Sequence, residues 1–149
     1  QGSSDIGVRL LDKRGNTILK GGPDDLTLIS GDGAKGVLWG KDGAKIYSLP
    51  NKTLIKTYPI KPESLQTFFF PAAISFNGRY LVVAGSKISP ASQNNIFIVD
   101  LSEDKVWETR INEPKLLKVY ITNDGKYSLF KTDGGPSGIE SRLYYYQIF

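Results

Sequence analysis

The chain has 149 residues, of which 40% are hydrophobic and 23% charged, a composition typical of a folded domain rather than a disordered one. It contains no cysteine and no histidine, which excludes disulfides, thiolate metal sites, cysteine nucleophiles, and the usual general base and zinc ligand from this chain. The net charge is +4, but basic residues alternate with acidic ones, so nucleic-acid binding is not predicted. The apolar runs are too short for a membrane-spanning helix.

The first residues, Gln-Gly-Ser-Ser at 1–4, are typical of a tag or processing remnant, and a natural mature N-terminus is the alternative. A first pair of strands is predicted within residues 6–20, from Val8 to Asp12 and from Thr17 to Lys20, joined by a polar turn. The sequence therefore begins with a hairpin that has only two strands.

Three later turns reveal an internal repeat. Asp32-Gly33 recurs as Asn77-Gly78 and Asp124-Gly125, so the turn glycines lie 45 and 47 residues apart (33 to 78, 78 to 125). Each pair joins two apolar, β-rich runs, which is the strongest local signal for a hairpin. We expect both residues of each pair to have positive φ, as a two-residue hairpin turn requires.

A second hairpin follows each of the first two turns. The clearest runs from Ile96 to Leu101 and from Lys105 to Thr109, and its counterpart one unit earlier runs from Lys45 to Leu49 and from Thr53 to Tyr58. Each unit thus predicts four short antiparallel strands, called a to d in chain order, and no helical stretch competes with them. The predicted fold class is all-β, with β-propeller blades of four antiparallel strands that are partial or completed by another chain.

Two segments carry a resemblance to a known group of repeats. Ile74 to Ala84 has the form S-x-N-G-x-Y-L-V-V, and Asn95 to Thr109 has the form I-x-V-D-L-x-x-x-K-V-W. They resemble blades of the propeller superfamily that includes WD40-like and TolB-like repeats. The chain departs from strict WD40 repeats, because it has no Gly-His pair, no Trp-Asp dipeptide and no histidine.

The number of blades does not close a ring. We predict a half-blade at 6–20, blades at 26–60 and 65–111, and an incomplete blade at 116–149, about three and a half blades in all, whereas a propeller needs at least four. Three alternatives remain open at this point. The chain is a piece of a longer propeller, it closes by association with another copy or another chain, or its repeats form a compact sandwich.

One face of the blades is the candidate binding surface. The b–c segments and d–a connections emerge together on that face, are longer than the other turns and carry proline and charge, and loops on a rigid scaffold are where recognition usually resides. The candidate binding residues there are Asp24, Asp25, Lys61, Glu63, Lys87, Gln93, Asn94, Glu113, Lys115, Asp133 and Glu140.

No catalytic or metal-binding motif accompanies these loops. Adjacent carboxylates at Asp24 and Asp25 lack the spaced ligands of a calcium loop, and no serine lies in a Gly-x-Ser-x-Gly elbow. The aromatic runs Phe68–Phe70 and Tyr144–Tyr146 are predicted to pack in the core, because both faces of a blade are covered by its neighbours.

The sequence therefore predicts a non-catalytic scaffold for protein–protein interaction, without a cofactor. Its partner is another protein or the rest of its own propeller. The alternative is an accessory propeller domain that binds a small molecule or ion in its central channel, as part of a larger enzyme or an extracytoplasmic binding protein. The predicted innermost strands argue against a polar channel site, because Leu26 to Ile29, Leu65 to Phe70 and Leu116 to Ile121 are mostly apolar.

Overall fold

The repeat folds into strand hairpins throughout the part of the chain that the structure describes. A computed structural model describes residues 7–62, 72–88, 95–110, 116–132 and 143–148. No helix occurs among these residues, which confirms the all-β prediction. In chain order the strands are β1 Arg9–Leu11, β2 Thr17–Lys20, β3 Leu26–Ile29, β4 Lys35–Gly40, β5 Gly43–Ser48, β6 Thr53–Tyr58, β7 Ile60–Lys61, β8 Ala72–Ile74, β9 Tyr80–Lys87, β10 Asn95–Asp100, β11 Lys105–Arg110, β12 Leu116–Ile121, β13 Tyr127–Thr132 and β14 Leu143–Gln147.

The strands form four antiparallel groups. Strands β1 and β2 pair to form the half-blade, and β3 to β6 pair in chain order to form blade 1. Blade 2 comprises β7 to β11, with β9, β10 and β11 paired in order and both β7 and β8 paired to β9. Blade 3 comprises β12, β13 and β14 in order. The predicted architecture of antiparallel blades is confirmed.

Each a–b turn is held by the same hydrogen bonds within six residues. In blade 1 the Ser30 hydroxyl donates to Asp32 Oδ1 at 2.6 Å and accepts from Lys35 N at 2.9 Å. The same Asp32 oxygen accepts from Ala34 N, and Gly33 N donates to Ser30 O, both at 2.9 Å. These four bonds recur within Ser75–Tyr80 and Thr122–Tyr127. A hydroxyl, a carboxylate or amide two residues later and then a glycine close each of these three a–b hairpins.

The predicted turn geometry is wrong in one respect. Gly33, Gly78 and Gly125 have φ of 70°, 64° and 74°, but the residue before each glycine does not have positive φ. The glycine N–H donates to the carbonyl three residues earlier, so glycine is the last residue of a four-residue turn that starts with serine or threonine. The aspartate or asparagine before the glycine accepts hydrogen bonds within the turn through its side chain, and its own backbone does not adopt the left-handed conformation.

Two described segments of blade 2, β7 and β8, both pair with β9. The strand predicted at Leu65–Phe70 lies outside the described residues, and β8 pairs Ala72 with Val83 while β7 pairs Ile60 with Lys87. Lys61 and Lys87, predicted in the loop segments, therefore lie in strands instead. Backbone pairing of β7 with the end of β9 extends β9 to eight residues, a long-range contact that local turn signals do not encode.

Blade 2 is buried on both faces, because alternate residues of its strands point to opposite sides. Leu81 and Val83 face blade 1, and Tyr80 and Val82 face blade 3. The cluster with blade 1 contains Val37, Trp39, Ala44, Ile46, Tyr58, Ile60, Leu81, Val83, Phe97 and Val99. The cluster with blade 3 contains Tyr80, Val82, Ile96, Val119, Phe130 and Ile148. Every residue of both clusters is at most 7% exposed.

Polar bonds fix blade 1 against blade 2. The fully buried Trp39 donates its Nε1–H to Ile60 O at 2.8 Å, which satisfies the indole inside the core. At the other end, Lys35 Nζ donates to Gly78 O at 2.8 Å and Asp32 N donates to Phe76 O at 2.9 Å. The two blades therefore hold their turns at a fixed spacing.

Blade 3 is covered by a sheet on one face. Tyr146 packs edge-to-face against Phe130, with ring centroids 5.3 Å apart, as the core prediction for the tyrosine run requires. Tyr145 is 64% exposed and stacks on Tyr127 at 5.2 Å. The core prediction is wrong for Tyr145, because no sheet among the described residues covers its side of blade 3.

Candidate interaction surfaces

The face that carries the b–c and d–a segments, here called the loop face, displays four of the predicted binding residues. They are Asp24, Asp25, Lys61 and Lys87. The other predicted binding residues lie outside the described residues: Glu63, Gln93, Asn94, Glu113, Lys115, Asp133 and Glu140. The described part of the loop face therefore lies beside the half-blade, blade 1 and blade 2.

Asp25 holds the connection between the half-blade and blade 1. Its Oδ2 accepts from Gly22 N at 2.8 Å, and its Oδ1 lies so close to Gly40 that a Cβ there would approach within 1.8 Å. Gly40 begins the b–c turn of blade 1, so one carboxylate packs two segments of the loop face together. Asp25 is half-buried and has a structural role in the loop, whereas Asp24 is exposed.

Lys61 and Lys87 lie at the same end of blade 2. They belong to paired strands, since Lys61 lies opposite Ser86 and Ile60 opposite Lys87. Lys61 is exposed, and Lys87 is half-buried. Strand pairing therefore places two lysines that are far apart in sequence at the same end of one blade. Their side chains lie on opposite faces of the sheet, because Lys87 shares its face with Ile60. The sequence predicted both lysines in loops.

Lys87 is the centre of a polar cluster on blade 2. Its ammonium forms an ion pair with Glu108 and lies 6.0 Å from the centroid of the Phe97 ring. Glu108 also accepts a hydrogen bond from the Asn95 amide, and Asn95 is only 9% exposed. These contacts fix Lys87 and leave Lys61 as the more accessible cation of the two.

The opposite face carries the a–b and c–d turns, and Asp100 is buried there at the end of β10, where the c–d turn of blade 2 begins. Its Oδ1 accepts from Ser102 N, Ser102 Oγ and Glu103 N at 2.9, 2.7 and 3.0 Å, and its Oδ2 accepts from Arg79 Nε and Nη2 at 3.0 and 2.8 Å. Burial alone would raise the pKa of Asp100, but the bonds from Arg79 and the turn outweigh it and hold that pKa well below its usual range. Asp12 caps the turn of the half-blade in the same way, accepting from Arg14 N and Asn16 N.

A cleft of about 250 Å³ lies between blades 1 and 2. Its lining combines apolar and charged side chains: Lys35, Ile46, Ile55, Lys56, Tyr58, Leu101 and Asp104. Tyr58 donates its hydroxyl to Asp104 Oδ1 at 2.9 Å, and Lys56 pairs with the same carboxylate. The ion pair with Lys56 and the Tyr58 bond lower the pKa of Asp104, whereas burial and then Asp104 raise the pKa of Tyr58. One carboxylate thus closes the outer side of the cleft.

Sequence reasoning missed this cleft because its parts come from two units about 46 residues apart, as the bond between Tyr58 and Asp104 shows. The one local signal is at Asp104, which has φ of 56° at the place where blade 1 has Lys52 with φ of 55°. That equivalence identifies a shared turn, but it does not reveal which side chain crosses to the neighbouring blade.

The described residues offer no arrangement of carboxylates for a metal ion, since no group of three or more Asp or Glu residues converges in them. The same residues contain no helix of the length and apolarity needed to cross a membrane.

Comparison with known proteins connects this geometry to a solved structure. No family model matches the chain, and no curated protein matches it. TolB from Acinetobacter baumannii matches with a TM-score of 0.60 and 19% sequence identity, over 95% of this chain and 35% of that chain. The fold is that of β-propeller blades. The chain spans about a third of the length of that TolB, and an identity of 19% speaks for the shared fold alone.

Proposed function

We propose that the chain is a non-catalytic propeller scaffold, with blades related to TolB-like repeats, that binds a protein partner through the loop face. The observation that supports this most is the pairing of β7 with β9, which fixes the positions of Lys61 and Lys87 at the loop-face end of blade 2. Asp24 and Asp25 lie on the same face beside blade 1. Charges of both signs on a fixed framework suit recognition of a protein surface.

The environment of the serine hydroxyls supports a non-catalytic role. Ser30, Ser75 and Ser102 each donate to the side chain of an aspartate or asparagine two residues away in a turn, and Ser128 donates to Tyr120 O. A nucleophilic serine requires a general base that accepts its proton and a third group that orients this base. These four hydroxyls instead stabilise turns and strands.

Charge reversal on the loop face tests the proposal. The double variant Asp24→Lys with Lys61→Glu changes two exposed residues, and Lys126→Glu is the matched control on the opposite face, where its side chain is 64% exposed. Proteins captured by the tagged chain from an extract of its source cells are quantified by mass spectrometry. We expect the double variant to lose a partner that the wild type and the control retain; retention by all three would contradict the proposal.

A second candidate, binding of a small molecule, is favoured by the cleft between blades 1 and 2. Its lining combines the apolar side chains of Ile46, Ile55 and Leu101 with the paired charges of Lys56 and Asp104, which suits a small ligand with an apolar body and a polar group. Lys35→Met and Lys56→Met should then remove the thermal stabilisation that such a ligand gives, with Lys41→Met as the control. If the loop-face variant loses its partner while these variants do not, the scaffold function is the correct one.

A further inference from the structure

The a–b turn of blade 2 carries asparagine where the turns of blades 1 and 3 carry aspartate. The residue before the turn glycine is Asn77 in blade 2, Asp32 in blade 1 and Asp124 in blade 3. An asparagine followed by glycine is chemically labile, because glycine has no side chain to hinder the approach of its backbone nitrogen to the asparagine carboxamide. Asn77-Gly78 is the single Asn-Gly pair in the sequence. The chain therefore has one place where spontaneous loss of ammonia is especially favoured.

This reaction needs no partner other than water. The Gly78 nitrogen bonds to Cγ of Asn77, the C–N bond of the carboxamide breaks, and ammonia leaves with the amide proton of Gly78. Water then opens the resulting imide ring at either of its carbonyls. The products are aspartate, which keeps the original backbone, and isoaspartate, in which the main chain runs through Cβ and Cγ.

The folded turn holds both reacting groups away from this step. Gly78 N donates its hydrogen to Ser75 O at 3.0 Å. Oδ1 of Asn77 accepts from Ser75 Oγ at 2.8 Å and from Arg79 N at 3.1 Å. Ring closure requires the amide proton to leave Gly78 and the carboxamide to turn toward the Gly78 nitrogen. These hydrogen bonds must therefore break before the ring can close.

Blade 1 holds the backbone on either side of Asn77. Phe76 O accepts from Asp32 N at 2.9 Å, and Gly78 O accepts from Lys35 Nζ at 2.8 Å. Asn77 itself is exposed, so water can reach it. The restraint on its reaction comes from hydrogen bonds rather than from burial.

We propose that Asn77 is a deamidation site whose reaction is gated by the hydrogen bonds of its own turn. The asparagine persists while the turn is closed and is converted when the turn opens, without unfolding of the rest of blade 2. The aspartate product fits the turn, because Asp32 accepts the same two bonds in blade 1, from Ser30 Oγ and from Ala34 N. Isoaspartate lengthens the turn by a main-chain atom and does not restore the bonds that close it.

Peptide mapping by mass spectrometry measures the reaction in the purified chain at mildly alkaline pH. The folded wild type should lose ammonia at Asn77 at least roughly tenfold more slowly than the same chain in urea, because the bonds of the closed turn oppose the reaction. Ser75→Ala removes one of these bonds, and when folded it should react about fivefold faster than the wild type. In urea the two chains should react at the same rate, since neither has a turn.

A matched control separates opening of the turn from global unfolding. Ile96→Val weakens the core between blades 2 and 3 by an amount comparable to the loss in Ser75→Ala, but it leaves the turn intact. Its folded rate should equal that of the wild type. Lys35→Met is a second test variant, since it removes the bond to Gly78 O from outside blade 2, and it should also react faster than the wild type. Far-ultraviolet circular dichroism verifies that each variant is folded.

Three results would overturn the proposal. One is an equal rate in the folded wild type and in urea. Another is a folded rate of Ser75→Ala at or below that of the wild type, which would mean that the Ser75 hydroxyl activates the carboxamide instead of restraining it. The third is an Ile96→Val rate as high as that of Ser75→Ala, because the reaction would then follow global unfolding.

Discussion

Blades 2 and 3 are built from the same repeat, yet the described residues cover blade 2 on both faces and blade 3 on one. Their a–b turns have the same four hydrogen bonds, and their strands have the same register relative to the turn glycine. Ile96 pairs with Ala84, and Leu143 pairs with Lys131, which lies 47 residues after position 84. Local bonding is thus intrinsic to the repeat, whereas burial is supplied by the neighbouring sheet.

The largest expected effect compares the two positions directly. Ile96→Ala should lower the free energy of unfolding by about 2–5 kcal/mol, because it leaves a cavity between blades 2 and 3. Leu143→Ala should change it by less than about 0.5 kcal/mol. Urea unfolding measures both losses. Equal losses would show that burial is a property of the repeat position itself.

The second prediction concerns a charge that blade 2 has and blade 3 lacks. Asp100 lies opposite Tyr80, and the equivalent residue opposite Tyr127 is Gln147. Asp100→Asn should lower the free energy of unfolding by about 2–3 kcal/mol at neutral pH, because a neutral amide replaces the buried carboxylate that accepts the bonds from Arg79. Asp42→Asn, at an exposed pair with Lys45, should cost less than about 0.5 kcal/mol.

The same carboxylate gives stability a pH dependence. The pKa of Asp100 is lower in the folded chain than in the unfolded one, so the unfolded chain binds the proton first as the pH falls. The ionised Asp100 carboxylate therefore stabilises the fold fully above the unfolded pKa of about 4. This stabilisation is lost as the pH falls below that value toward the folded pKa. The loss of stability below that pH should be shallower in Asp100→Asn than in the wild type, and parallel curves would show that other carboxylates dominate.

A third prediction uses the turn glycines. In Gly33→Ala the added Cβ meets no atom within 4 Å, so only the strain of alanine at positive φ acts. We expect the free energy of unfolding to fall by about 1–2 kcal/mol. At Gly78 the added Cβ meets Lys35 and Ser30 at 3.2 Å, and at Gly125 it meets Tyr80 Cδ2 at 2.2 Å. Thermal unfolding should therefore rank the variants, with Gly125→Ala the least stable although it lies in the less covered blade.

The smallest effect tests whether the turns are equivalent. Ser75→Ala removes a fully buried hydroxyl and should cost about 1–2 kcal/mol, whereas Thr122→Ala removes an exposed one and should cost about 0.5 kcal/mol. Hydrogen exchange provides the local measurement, since the amides of Tyr80 and Tyr127 lose their hydroxyl acceptors. Comparable deprotection at both amides, with unequal losses of stability, is the expected result.

The hairpins could be predicted because their signals are local. The glycines at 33, 78 and 125 and the apolar runs around them are visible within a few residues, and the period follows from their spacing. The turn geometry was predicted wrongly, because Asp-Gly and Asn-Gly pairs also occur where the first side chain accepts hydrogen bonds from Ser30, Ser75 or Thr122. A reading of the serine or threonine two residues earlier would have identified this capped turn.

The candidate surfaces were less predictable because they depend on contacts between units. The pairing of Ile60 with Lys87 and the bond between Tyr58 and Asp104 join residues 27 and 46 positions apart (60 to 87, 58 to 104). The exposure of Tyr145 depends on a neighbouring sheet, and no pattern within β14 reports whether that sheet is present. Charge and loop length suggested the loop face, but they did not distinguish the anchored Asp25 from the accessible Asp24.

Each a–b turn is closed by hydrogen bonds among six consecutive residues, so its formation does not depend on another repeat. Its hydroxyl, acceptor and glycine require nothing from elsewhere, so a duplicated gene segment brings its own nucleation site, and each hairpin can form before its neighbours are in place. Only the side chains between blades must then adapt to one another. Contacts that are short in sequence form fast, and an array of repeats can therefore gain or lose a unit without losing the means to start folding the others.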